Sequence, residues 1–272
     1  MNTQNSKVHT QNEEDMKISE NLSRIKHRIV VFSGKGGVGK TTVSVNLAFG
    51  FQQKGHKTGL LDADITGPNI SKMLGLSGNI QVIDNKLIPL IRNELKVISI
   101  ANIIENNQPV IWRGPLRSKL LNQFLGDVLW GELDFLVADL PPGTGDEILT
   151  MTQKMQPDMA IIVTTPQEVS LIDSARAINM AKKMNIKKIG LIENMSGLIC
   201  PKCGENIEIF GSGGGKKQSE EMGIEFLGTL PLDLKTRKLA DQGQPILLAD
   251  AQAGISILFK QIVDKIMTVI MQ

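Results

Sequence analysis

Cysteine occurs only twice in these 272 residues, at Cys200 and Cys203, which is too few for a disulfide framework. Neither sign of charge is in excess. The formal net charge is +2, which makes no electrostatic case for a nucleic-acid partner. Long apolar runs are missing as well, and none approaches the ~18 residues of a membrane span. The first segment carries Glu13, Glu14 and Asp15 and has no apolar core, so it reads as neither a secretory signal nor a transit peptide. No internal repeat or low-complexity linker divides the chain, and a hydrophobic content of 41% is enough for a sizeable core. These absences lead us to expect a cytoplasmic protein with no nucleic acid and no membrane among its partners. Residues 1–23 read as a tail with a lead-in helix: a polar, disordered segment over 1–15, then a helix over about Glu14–Lys26. Residues 24–272 read as a single domain.

What is present is concentrated in V-V-F-S-G-K-G-G-V-G-K-T-T, Val30–Thr42. Gly34, Gly39, Lys40 and Thr41 complete the phosphate-loop pattern G-x-x-x-x-G-K-[ST], between an apolar run and a helix-periodic segment. Gly34, Gly36, Gly37 and Gly39 lack a Cβ, so the backbone can curl its N–H groups around an anion, with Val38 and Thr42 in the same cradle. The following helix points its positive end at the same place. Lys40 is expected to reach the β/γ-phosphates of ATP, and the Thr41 hydroxyl to ligate Mg²⁺.

The apolar strands that follow deliver polar residues at their carboxyl ends, where open α/β sheets bind ligands. Asp62 and Asp64 end one such strand; Asp64 is the candidate for orienting the attacking water, and Asp62 could support the metal through water. Strand Asp134–Ala138 ends at Asp139, a Walker B arrangement whose carboxylate binds Mg²⁺ through water. The Pro141–Gly145 loop behind it is a candidate γ-phosphate sensor. Each of these acids could instead be a turn residue. Alternation from Ile80 to Ile100 around Asp84–Asn85 reads as an antiparallel hairpin excursion with a returning strand. The C-terminal segment Gly254–Met271 is amphipathic at helical spacing and is expected to pack on the sheet rather than on a membrane. The fold class expected is α/β: a doubly wound, mostly parallel sheet with helices on both faces and a small antiparallel hairpin.

The second lysine of the loop, Lys35, makes the string G-K-G-G-V-G-K-T resemble the deviant Walker A proteins, which include the nitrogenase iron protein and the MinD/ParA ATPases. That resemblance implies a homodimer in which Lys35 reaches across to the partner's nucleotide and joins Lys40, Asp64 and Asp139 in catalysis. It also implies that Asn194, Pro231 and Asp233, at two later strand ends, surround the adenine. An amide suits that task because it can pair with the N6/N7 edge.

The pair C-P-K-C-G calls for a metal or a redox reading, and Gly204 lets the backbone turn its N–H groups toward the sulfurs. Tetrahedral zinc and [4Fe–4S] clusters both generally take four thiolates, and one chain offers two. A homodimer offers four, which favours one centre on the dimer axis. Bridging zinc, a thioredoxin-like redox pair and an inert pair remain as alternatives.

With these residues assembled, the chain resembles the Mrp/Nbp35 (ApbC-like) family of ATP-binding iron–sulfur cluster carriers. The matching stretches are S-G-K-G-G-V-G-K-T-T, D-A-D-I-T-G-P-N, W-R-G-P, D-L-P-P-G-T-G-D, E-N-M-S…C-P-K-C-G and F-G-S-G-G-G-K. The resemblance implies one [4Fe–4S] cluster held between two subunits by Cys200 and Cys203, slow ATP hydrolysis and transfer to apo iron–sulfur proteins, with scaffold proteins as possible donors. The alternative is a positioning ATPase of the ParA/MinD type whose cysteines hold structural zinc.

Overall fold

The computed structural model describes residues 2–103, 114–200 and 202–272, and the side chains of 12–103, 116–200 and 202–272. Trp112 and Arg113 of the W-R-G-P stretch, and Pro201 between the cysteines, lie outside the described residues.

The chain opens with α1 (Asn2–Leu22), β1 (Ile25–Phe32), α2 (Lys40–Gln53), β2 (Thr58–Asp62) and the short α3 (Ile70–Met73). Four strands follow, β3 (Gln81–Ile83), β4 (Lys86–Ile88), β5 (Leu90–Arg92) and β6 (Leu95–Ser99). Next come α4 (Gly114–Gly126), β7 (Leu133–Asp139), α5 (Asp146–Met155), β8 (Met159–Thr164), α6 (Glu168–Lys183) and β9 (Lys188–Glu193). The last third holds β10 (Leu198–Ile199), β11 (Asn206–Ile207), α7 (Gly214–Met222), β12 (Glu225–Thr229), α8 (Leu234–Asp241), α9 (Ile246–Ala249) and α10 (Gly254–Met271).

Eight strands form the main sheet in the order β12-β9-β8-β1-β7-β2-β6-β5. All neighbours run parallel except the edge pair β5–β6, and β3–β4 forms a separate antiparallel hairpin. The expected excursion is therefore present. β1 shows why the sheet must be covered twice. Ile29, Val30, Val31 and Phe32 are all fully buried, as in a strand sandwiched on both faces. Val30 and Phe32 join the core beneath α1, α4, α5 and α6, whereas Ile29 and Val31 join the core beneath α2, α9 and α10. From β1 the chain moves out to β2 on one side and later to β8 and β9 on the other. The carboxyl end of β1 is thus the topological switch point, where a crevice must open.

Two expectations need correction. The described residues 2–15 are helical rather than a disordered tail: α1 runs from Asn2 to Leu22 and begins well before Glu14. Its C-terminal part is anchored by buried Ile18 and Leu22, and by the Asn21 amide donating to the carbonyls of Leu125 (2.7 Å) and Val128 (2.9 Å). With no Gly or Pro upstream of that anchor, nothing interrupts the helix. The cysteines, in turn, do not lie in a plain strand-end loop but on a small antiparallel hairpin, β10–β11. At the C-terminus α10 buries Ile255, Phe259, Ile262, Val263, Ile266 and Ile270 against α2 and β12, as expected of a packing helix. No described helix is long and apolar enough to cross a membrane.

Candidate nucleotide cleft and cysteine hairpin

The loop leaving β1 opens into a cleft of about 710 Å³ at the switch point. Gly36, Gly37, Val38, Gly39, Lys40, Thr41 and Thr42 line it, and so do Asp64, Asn194, Pro231 and Asp233 from other strand ends. Gly34 and Lys35 stand at its rim without lining it. Gly39 has φ +82° and caps α2, and a Cβ there would run into the Asn194 amide; only glycine satisfies both demands. A Cβ on Gly34 would strike the Asp173 carbonyl of α6.

Among the described residues, the N–H groups of Gly36, Gly37, Val38 and Gly39 find no acceptor in the protein. Lys40 Nζ is buried and lacks a properly directed hydrogen bond, although it sits 2.8 Å from Asp139 Oδ1 as an ion pair. Orphaned buried donors such as Lys40 Nζ are rare, and it lines the same cleft as the loop amides, which run from exposed Gly36 and Gly37 to buried Val38. Phosphate oxygens are the acceptors that they lack, so the cradle fits a nucleotide.

Asp139, fully buried at the end of β7, organises the floor. Its Oδ2 accepts from Thr41 Oγ1 at 2.7 Å and its Oδ1 from Ser44 Oγ at 2.7 Å. Ser44 was not singled out in the sequence, yet it stands one helical turn beyond Thr41 on the same face of α2. Asp62 is paired with Asp139 across adjacent strands and is also fully buried. It accepts from Ser99 Oγ (2.8 Å), Ile70 N (3.3 Å) and Asp64 N (3.3 Å). Burial, and secondarily the charge of Asp139, pushes its carboxyl up to about 8. Two buried carboxyl groups thus stand at the floor, with Asp139 paired to Lys40. Together with the Thr41 hydroxyl, this all-oxygen set suits Mg²⁺.

Asp64 and Asp233 both line the cleft, and both have backbone work as well. Asp64 Oδ1 accepts from Thr66 Oγ1 (2.8 Å) and Gly67 N (3.2 Å), closing the turn after β2. Asp233 Oδ2 accepts from Thr236 N (2.6 Å) and Thr236 Oγ1 (2.7 Å), capping α8. The Asn194 amide donates to the Val38 carbonyl at 2.8 Å, tying the end of β9 to the phosphate loop. The Pro141–Gly145 loop abuts the same place, through Gly143 N donating to Ser33 O at 2.8 Å.

The cysteines lie outside this cleft, at the tip of β10–β11. Cys200 N donates to Glu205 O (2.8 Å) and Gly204 N to Cys200 O (2.9 Å), with Gly204 at φ +78° closing the turn. Cys203 is exposed and Cys200 partly so, and they form no disulfide. Backbone N–H groups of Cys203 and then Lys202 face the Cys200 sulfur and hold its thiol below the ordinary range, a knuckle that favours thiolate ligands. Among the described residues no group of three or more His, Cys, Asp or Glu side chains forms a metal site, so each chain presents these two thiols without a third ligand.

Comparison with known proteins shows the family and the fold. A family model described as ParA, the NUBPL iron-transfer P-loop NTPase, matches residues 24–267. An iron-sulfur cluster carrier protein of Methanocaldococcus jannaschii is 52% identical over 260 residues, covering 93% of this chain and 88% of the relative. That of Pyrococcus furiosus is 49% identical over 264 residues, covering 92% and 88%. Among solved structures, a nucleotide-binding protein of Archaeoglobus fulgidus in complex with ADP superposes with TM-score 0.75 at 41% identity, covering 85% of this chain and 91% of that one. The MinD cell division protein of Aquifex aeolicus shares the fold, with TM-score 0.66 at 22% identity over 89% and 97%.

Proposed function

The chain belongs to the NUBPL iron-transfer P-loop NTPase family, and from that premise we propose that it is an ATP-driven carrier of [4Fe–4S] clusters acting as a homodimer. Each subunit brings Cys200 and Cys203 to one exposed hairpin tip, and two subunits together supply the four thiolates that such a cluster takes. The cluster is cargo, received from scaffold proteins and passed to apo iron–sulfur proteins in the cytoplasm.

Hydrolysis is assigned to the cleft. Lys40 gives its unmet N–H groups to the β/γ-phosphates, and Gly36–Gly39 cradle them with backbone amides. Thr41 and Asp139 are the residues that would hold Mg²⁺, which supplies the positive charge that neutralises the phosphate oxygens. Asp64 orients water from the cleft wall, and Lys35, on the rim, reaches the nucleotide of the partner. Asn194, Pro231 and Asp233 border the adenine.

The observation that carries this reading is a short covalent path. Asn194, whose amide holds the phosphate loop at Val38, is followed within one short segment by Cys200. A nucleotide that displaces that amide acts directly on the mount of the thiols. The alternative of a ParA/MinD-type positioning ATPase gives the hairpin only a structural zinc to hold, and α10, which a membrane-bound version would need, already buries its apolar face inside the protein.

Anaerobic reconstitution with iron and sulfide tests the reading. The expected product is a coloured dimer with one cluster per two chains, whose transfer to an apo iron–sulfur protein depends on ATP and is lost in Lys40→Ala. A colourless zinc-bridged dimer, or a monomer holding iron at full stoichiometry, rejects it.

A further inference from the structure

The acid at the end of β9 has no part in the cleft or the thiol pair, yet Glu193 is fully buried. Its Oε1 accepts from Ser196 Oγ at 2.6 Å and from Gly213 N at 2.9 Å, and its Oε2 from Gly215 N at 2.5 Å. A buried carboxylate is costly unless its lone pairs are met. Here the start of α7 meets them, with two N–H groups and the positive end of the helix.

The placement of those donors is what matters. Ser196 lies just before the cysteine hairpin, and Gly213 and Gly215 lie after it. One carboxylate therefore grips both stems of β10–β11. The same segment is laced into the cleft: Asn194 Nδ2 bonds Val38 O, Ser196 N donates to Leu230 O (3.0 Å), and Leu232 N donates to Gly197 O (2.8 Å). Between them Met195 lines the cleft in a left-handed conformation, φ +57°. A non-glycine residue holds that conformation only where its surroundings impose it.

We propose that Glu193 is the positioning residue that makes the nucleotide cleft and the cysteine hairpin move as one body. A displacement of Asn194 by nucleotide passes through Glu193 to both stems, and so to Cys200 and Cys203. This rests on the nucleotide-to-thiol coupling proposed above. A carboxylate that only capped α7 would contribute stability but transmit nothing.

The test uses the metal-free full chain. Alkylation rates of Cys200 and Cys203 by iodoacetamide, resolved by mass spectrometry, are compared with and without Mg²⁺ and a non-hydrolysable ATP analogue. In the wild-type chain the nucleotide is expected to change the rates about fivefold or more, the low end of ordinary coupling between sites. Glu193→Gln keeps the shape but turns an NH₂ group toward an N–H donor. It is expected to bind the analogue with unchanged affinity and to show equal rates with and without it. Ser196→Ala, which loosens one stem only, is expected to give an intermediate ratio, and it decides the matter if Glu193→Gln does not fold. A wild-type ratio in the variant that folds overturns the proposal and leaves the coupled carrier standing. Equal rates in the wild-type chain overturn the coupling and this proposal together, while cluster binding is judged separately by reconstitution.

Discussion

At the scale of single residues, two aspartates illustrate opposite uses of a buried or half-buried charge. Asp139, itself fully buried, is the acceptor for half-buried Thr41 and buried Ser44 and the counter-ion of buried Lys40. Asp139→Asn keeps the size but strands a buried ammonium, so a loss of about 3 kcal/mol in urea unfolding is expected, together with loss of Mg²⁺-dependent ATP binding. Asp134 sits at the rim of the sheet. Its Oδ1 takes Lys26 Nζ at 2.7 Å and its Oδ2 takes Lys57 N at 2.9 Å. The Lys26 hydrogen bond, ahead of that from Lys57 N, holds its carboxyl below the ordinary range. A depressed carboxyl stabilises the fold above its unfolded pKa and loses that contribution as pH falls through the folded one. Asp134→Asn is therefore expected to cost about 1 kcal/mol near neutral pH, and the gap to wild type should close below about pH 4. Parallel urea titrations across that range check it; a gap that stays constant would mean that the side chain acts through shape alone.

At the scale of elements, the seam between α2 and α10 is set by a missing side chain. A Cβ on Gly50 would lie 2.6 Å from Val263 Cγ2, inside a fully buried contact. Alanine there gains helix propensity of about 1 kcal/mol, but overpacking of this kind costs about 1–3 kcal/mol. Gly50→Ala is expected to be net destabilising alone and stabilising relative to Val263→Ala when the two are combined. A double-mutant cycle in chemical denaturation measures that sign change, and strict additivity would show that the helices do not meet there. The same contrast explains how much was legible in the sequence. The phosphate loop, the Walker B strand and the amphipathic α10 were readable because each signal is local: a fixed spacing in one loop, an apolar run ending in an acid, a helical period. Ser44 was within reach by helical spacing from Thr41. The β10–β11 hairpin and the double grip of Glu193 were not, because they depend on pairings made only when the chain folds back on itself; the turn-closing use of Asp64 stood among the alternatives, since its partners Thr66 and Gly67 are two and three residues on. Early α1 was missed for a related reason: a polar segment without helix breakers takes its conformation from the anchored end at Ile18 and Leu22.

At the scale of the whole molecule, the proposed sharing of two thiols from each chain would make assembly part of the chemistry, and subunit mixing turns that into a measurable law. Wild-type chains combined with Cys200→Ser/Cys203→Ser chains, unfolded and refolded together or allowed to exchange before reconstitution, assort into three kinds of dimer. If one cluster needs both hairpins, only the dimer with two wild-type chains holds it, because a mixed pair offers two thiolates where four are required. Cluster bound per dimer should then follow the square of the wild-type fraction. If each chain held its own metal, binding would follow the fraction itself. The serine side chains preserve size and polarity on an exposed hairpin, so the fold and the cleft should not respond, and ATP binding should stay constant across the series. Iron and sulfide analysis over a range of mixtures distinguishes the two curves most clearly near equal amounts. Repeating the series with Lys35→Ala in both chains then asks whether the rim lysine is needed for the pairing. Under the cross-subunit reading, cluster content falls at every mixture while each chain still binds ATP.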